Sequence, residues 1–224
     1  MFALLMLVPM LLQPAVDAIV QDDIGAGAGS SVGDGPMAGS RANIYPNHPR
    51  MLVRDVAANG ILSVAQLRAR CQPATSWWTQ CQRVVGAGAG IEREIPTFAM
   101  KYLLNGNAAD ADQVISLILA VDTSSTDLLL LSDVALGYDW VYNYTGFDAS
   151  EKAQATDKLD LLALSVYNYI SDRHIFGRYM GHVDSVGLAG IALSGHSPNA
   201  TKYLDFALGN LTYMFEALQY LNGS

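Results

Sequence analysis

The chain has 224 residues, 51% of them hydrophobic, with 13 Lys and Arg against 21 Asp and Glu. That is room for one domain with a flexible arm, and enough apolar material to exclude wholesale disorder. The formal net charge of -8 repels nucleic-acid phosphates and anionic membranes, so any anionic partner needs a local basic patch.

Residues 1–18 are mostly apolar and end in Val16-Asp17-Ala18, with small residues at the two positions a signal peptidase reads. Pro9, Gln13, Pro14 and Asp17 interrupt the stretch, which is short for a bilayer span. The expectation is a cleaved signal peptide, a periplasmic or secreted protein and no membrane association after cleavage. Residues 19–45 read as a flexible linker, because Gly25 to Ser31 and the later Gly33, Gly35, Pro36 and Gly39 cannot bury enough surface to order themselves. Residues 46–224 form the folded domain. Export places Cys71 and Cys81 in an oxidising compartment, where they either pair or stay as buried thiols.

From His48-Pro49-Arg50 onward the chain reads as helix after helix. Ser63-x-x-Gln66 is a capping box that opens a short helix through Cys71. A second helix spans about residues 76–85, and a third about 96–104, stopped by Asn105-Gly106. Asn107 caps a fourth, in which Ala111, Val114, Ile115, Ile118 and Leu119 recur at helical spacing. Ser124 caps a long fifth helix through Tyr142, apolar nearly all round and so buried on several sides. Asp148-x-x-Glu151 opens a sixth with the stripe Leu159, Leu162, Ala163, Val166 and Ile170. A small-residue helix over about residues 184–193 follows, and Ser197-Pro198 starts the last. No stretch alternates long enough to read as a strand. Short loops make successive helices antiparallel neighbours, so the fold class is all-α, a curved array of helical hairpins.

The densest cationic cluster is the segment Asp172 to His182, which holds His174, Arg178, Tyr179 and His182, with Gly177 and Gly181 allowing close backbone approach. That combination suits β-elimination on an anionic polysaccharide. A cation or donor neutralises the uronate carboxylate, a Tyr or His takes the adjacent proton, and an acid protonates the leaving oxygen. Arginines nearby favour phenolate, and no metal or cofactor is required. The bland alternative is a solvated interhelical loop capping helix ends. Tyr138-Asp139-Trp140 offers Trp140 to stack on a sugar and Asp139 to bond it, with Tyr138 as a further contact, or else a packed core aromatic with a hydrogen-bonded carboxylate. His48-Pro49-Arg50 reads as a turn leading into the first helix. No nucleotide-binding glycine loop, GxSxG or HExxH is present.

The order of these motifs resembles heparinase II/III-like polysaccharide lyases and related alginate lyases. The resemblance rests on His48-Pro49-Arg50-Met51-Leu52 before Leu67-Arg68-Ala69-Arg70, and on Tyr102 to Asn107 before an Ala/Asp-rich helix. It rests further on Ala135 to Tyr142 followed by Asp148-Ala149-Ser150-Glu151, and on His182 followed by Gly187 to Leu193. It implies an incomplete α/α toroid and an exported lyase acting on uronate-containing polysaccharide. Of the site residues it implies only His182, as a catalytic histidine; the residues themselves add Tyr179 as a proton-transfer group and Arg178, His174, Trp140 and Tyr138 as substrate contacts. Where the family commonly has an Asn and sometimes a Glu around this histidine, the chain has Gly181 and Ser185. The family's catalytic tyrosine and β-sandwich would lie beyond the last helix, so a truncated, poorly active portion is expected. Two other classes remain open: a glycoside hydrolase, which needs two carboxylates such as Asp139 and Asp184 flanking the scissile bond, and a non-catalytic carbohydrate-binding or scaffold module.

Overall fold

A computed structural model describes residues 44–57, 61–73, 78–85, 93–171 and 178–222. The leader and most of the linker, together with His174, lie outside the described residues. The rest is mostly helical, as the periodicity requires. Two short strands, β1 (Val53–Arg54) and β2 (Leu62–Ser63), pair in parallel before the first helix. The sequence carries no alternation to announce them, because two residues are too few to show a period.

The helices are α1 (Val64–Arg70), α2 (Trp78–Val85), α3 (Glu94–Asn105), α4 (Ala108–Leu119), α5 (Leu128–Val141), α6 (Ala149–Ser171), α7 (Arg178–Leu193) and α8 (Ala200–Asn222). The capping box at Ser63 forms as read, with the Ser63 hydroxyl accepting from the Gln66 amide and the Gln66 side chain accepting from the Ser63 amide. Cys71 and Cys81 are joined by a disulfide that ties the end of α1 to α2. Gly106 ends α3 in the left-handed conformation at φ 72°, and Asn107 caps α4, so the chain reverses within two residues.

Two boundaries differ from the sequence reading. Asp127, not Ser124, caps α5, because Ser124 is already engaged in a turn with Asp122. The seventh helix begins at Arg178, six residues before the expected start, since Gly181 does not break it.

Burial follows the patterning. In α5, Asp133 through Val141 are all buried, whereas α6 buries the stripe Leu159, Leu162, Ala163, Val166 and Ile170 and leaves its other face wet. The packing explains the difference: α5 contacts α3, α4, α6 and α7, while α4 also packs on α6. Helices α3, α5 and α7 thus form one layer, with α4 and α6 outside it, and α8 packs on α7. Gly137 permits the close approach of α5 to α3, since a Cβ there would lie 2.3 Å from the Ile95 side chain. Antiparallel packing gathers the C-terminal ends of α5 and α7 with the start of α6 at one end of the array. Among the described residues, no helix is long and apolar enough to cross a membrane.

Candidate functional site

The titratable side chains converge at that end, around a segment the sequence reading treated as a turn. His48 and Arg50 are buried, at 3% and 8% exposure, and lead into β1 rather than directly into a helix. Their anchor is Asp139, a fully buried carboxylate near the end of α5. A carboxylate in an apolar helix must find donors or lose its charge. Asp139 finds four contacts: its two oxygens accept from the Arg50 amide at 3.0 and 2.8 Å, one accepts from the Met51 amide at 2.9 Å, and one lies 2.6 Å from His48 Nδ1.

The Asp139 contact fixes a proton on His48 Nδ1, which leaves His48 Nε2 facing outward. There it meets Nε2 of His196, from the turn between α7 and α8, at 3.0 Å. His196 Nδ1 in turn lies 3.3 Å from the hydroxyl of Tyr142, the residue that caps the C-terminus of α5. Tyr142 and His48 stack with ring centroids 4.1 Å apart. Burial, with the neighbouring His48, Arg50 and Lys152, pushes the His196 imidazole down to about 4. Burial also lowers His48, against the opposing pull of Asp139. Both rings are therefore neutral at pH 7, and the short Nε2–Nε2 distance means they share one proton.

Arg50 closes the arrangement from the side. Its guanidinium donates to the carbonyls of Ile191 at 3.1 Å and Ser194 at 2.6 Å at the end of α7, and to Pro46 at 3.0 Å. Those carbonyls are the acceptors a helix end leaves unpaired. A second Arg50 nitrogen lies 3.5 Å from His196 Nε2. The Asn143 amide donates to the His48 carbonyl.

An open cavity of about 370 Å³ lies against this cluster, lined by Tyr142, Ala149, Lys152, Ala153, Thr156, Asp157 and His196. Lys152 Nζ sits 4.9 Å from the centroid of the Tyr142 ring. Among the described residues, no group of three or more His, Cys, Asp or Glu is placed to hold a metal ion.

The residues chosen from sequence fall elsewhere. Arg178, Tyr179 and His182 occupy the first turns of α7, at the opposite end from His196. His182 is buried at 6% exposure, with the Tyr169 ring 5.7 Å away. Of the two readings of Tyr138-Asp139-Trp140, the structure has the packed core around a hydrogen-bonded carboxylate. Trp140 is 5% exposed and its indole N–H donates to the Met51 carbonyl at 3.0 Å. Tyr138 has no exposed surface and its hydroxyl pairs with that of Thr156 at 2.8 Å. Neither offers a face to a sugar. Burial likewise removes Asp139 from the pair of carboxylates a hydrolase would need. His196 and Tyr142 went unassigned in the sequence. The available signal was Asp139 itself, a carboxylate in an otherwise apolar helix.

Compared with known proteins, the chain matches no family model, and no curated protein or solved structure is similar to it.

Proposed function

We propose that this chain is the helical part of an exported polysaccharide lyase of the heparinase II/III-like kind, cleaving a uronate-containing polymer by β-elimination. The layering carries the reading: α5 packs on both α3 and α7 while α4 packs on α6, the alternation of inner and outer helices that an incomplete α/α toroid of hairpins requires. Two of the segments that resemble the family support it, because His48-Pro49-Arg50 and Tyr138-Asp139-Trp140 meet through Asp139. The Cys71–Cys81 disulfide fits an oxidising compartment.

In this reading the start of α7 is the reacting end. Arg178 and His182 are one turn apart and hold the uronate carboxylate, and Tyr179 transfers the proton. His182 is buried in the structure, so the reading requires the start of α7 to open toward substrate. The test is absorbance in the ultraviolet band of unsaturated uronates, with the full gene product offered alginate, heparin, heparan sulfate and hyaluronan separately. A rising signal with one polymer, lost in His182→Ala, is the expected result. No signal with any of them from folded protein overturns it.

A further inference from the structure

The proposed β-elimination makes no use of the cavity beside Tyr142 and His196, although the hydrogen-bonded line from Asp139 through His48 and His196 ends on it. Its wall holds one ammonium (Lys152), one carboxylate (Asp157), a phenol, an imidazole and a hydroxyl (Thr156), with only the methyls of Ala149 and Ala153 between them. The phenol, imidazole and hydroxyl are already paired within the protein, but an apolar ligand would leave the charges of Lys152 and Asp157 unanswered, whereas a small hydroxylated acid would meet both. The volume of about 370 Å³ lies near the lower end of small-ligand sites, which run roughly 300–1,000 Å³, and so suits a single sugar ring rather than a length of polymer.

We propose that this cavity binds a small carboxylate-bearing sugar, and that binding draws one proton onto the His196–His48 pair. The carboxylate lies toward Lys152, and the ring hydroxyls meet Asp157. The 2.6 Å contact with Asp139 assigns the His48 proton to Nδ1, and a 3.0 Å Nε2–Nε2 contact between neutral rings then requires the His196 proton on Nε2. A proton taken from solvent bonds to His196 Nδ1. The proton on His196 Nε2 then passes to His48 Nε2, so that one N–H bond forms at each ring and one breaks at His196. The added charge ends as a His48 imidazolium on the Asp139 carboxylate.

His196 Nε2 becomes an acceptor facing the Arg50 guanidinium at 3.5 Å, and Nδ1 becomes a donor toward Tyr142 and the cavity. The groups facing His196 are His48 and Arg50 from the leading segment, Tyr138 and Tyr142 from α5, and Lys152 and Asp157 from α6. Without ligand, the cations Arg50 and Lys152 oppose protonation; a bound carboxylate offsets Lys152 and favours it. This inference stands apart from the lyase reading, since it involves neither His182 nor polymer cleavage.

The experiment is calorimetric titration of the full chain with free glucuronate at about pH 5 and about pH 7.5, on either side of an ordinary histidine's titration, each in two buffers of different ionisation heat. Binding on the order of tenfold tighter at the lower pH is expected, with uptake of close to one proton, as linkage of a single site allows. Lys152→Met abolishes binding at both values. His48→Gln keeps binding and loses its pH dependence, a result a merely structural His48 would not give. Should His48→Gln fail to fold, the buffer-dependent heat of the unaltered protein decides alone. No glucuronate binding at millimolar concentration, binding without proton uptake, or equal binding of neutral glucose overturns the proposal. Polymer cleavage can fail while glucuronate binds, and the reverse, so the two readings are separable.

Discussion

The two ends of α7 present opposite kinds of chemistry. At its N-terminal end the functional groups are crowded in sequence: Arg178, Tyr179 and His182 lie within five consecutive residues. At its C-terminal end they are sparse in sequence and crowded in space, since His48, Asp139 and His196 are drawn from three distant segments into one hydrogen-bonded line. A helix of 16 residues holds these ends about 24 Å apart. The difference teaches that local density of polar residues reports a loop's composition, while an assembled site is reported by a polar residue where the pattern demands an apolar one. Asp139 is such a residue.

The largest effect should therefore come from Asp139. Asp139→Ala strands the Arg50 and Met51 amides and the His48 ring in a buried setting, which costs about 3–5 kcal/mol. His182→Ala at the other end removes a buried ring without emptying a four-contact acceptor, at about 1–2 kcal/mol. Denaturant unfolding midpoints of the two variants measure the contrast. Equal losses would mean that the C-terminal end of α7 is no better anchored than the N-terminal end.

Glycine substitutions sharpen the same comparison at smaller amplitude. A Cβ on Gly190 would lie 2.9 Å from Leu204 Cγ and 3.1 Å from the Ala200 carbonyl and the Leu204 amide, so backbone would have to move. Gly190→Ala is expected to destabilise by about 1–3 kcal/mol, the usual cost of overpacking. On Gly181 a Cβ would meet only a terminal methyl of Leu128 at 3.1 Å, which can rotate away. Gly181→Ala is expected to be neutral or to gain up to about 1 kcal/mol from helix propensity. Thermal unfolding of both variants checks the sign, and a destabilising Gly181→Ala would show that the start of α7 is held as tightly as its end.

The sequence made the helices legible for a plain reason. Caps such as Ser63 and Asn107, and stripes such as Leu159 to Ile170, act through neighbours two to four residues away. Asp127 was missed as a cap because Ser124, a short-range competitor of the same chemistry, stands three residues before it. The candidate site was largely hidden, because the contacts that join Asp139, His48, Tyr142 and His196 span 54 to 148 residues. No local pattern distinguishes a His48 that enters a turn from one that reaches Asp139. Which of the two readings of Trp140 holds was hidden for the same reason: its partner, the Met51 carbonyl, is 89 residues away.

The smallest expected effect reads the C-terminal end of α7 directly. His196 is held neutral down to about 4 in the folded protein, against an ordinary value of 6.5 in the unfolded chain. Between those values the unfolded chain binds more protons, so stability rises with pH there. The contribution of His196 is thus present above about pH 6.5 and is lost as the pH falls toward 4, with His48 acting in the same direction. Asp133, whose buried carboxyl is pushed up despite its Arg93 partner, acts the other way, because it takes its proton earlier in the folded state. The melting temperature should fall on acidification through this window, and His196→Gln should flatten the slope. A slope that survives His196→Gln would move the acid sensitivity out of the His48–His196 line, and with it the distinction between the two ends.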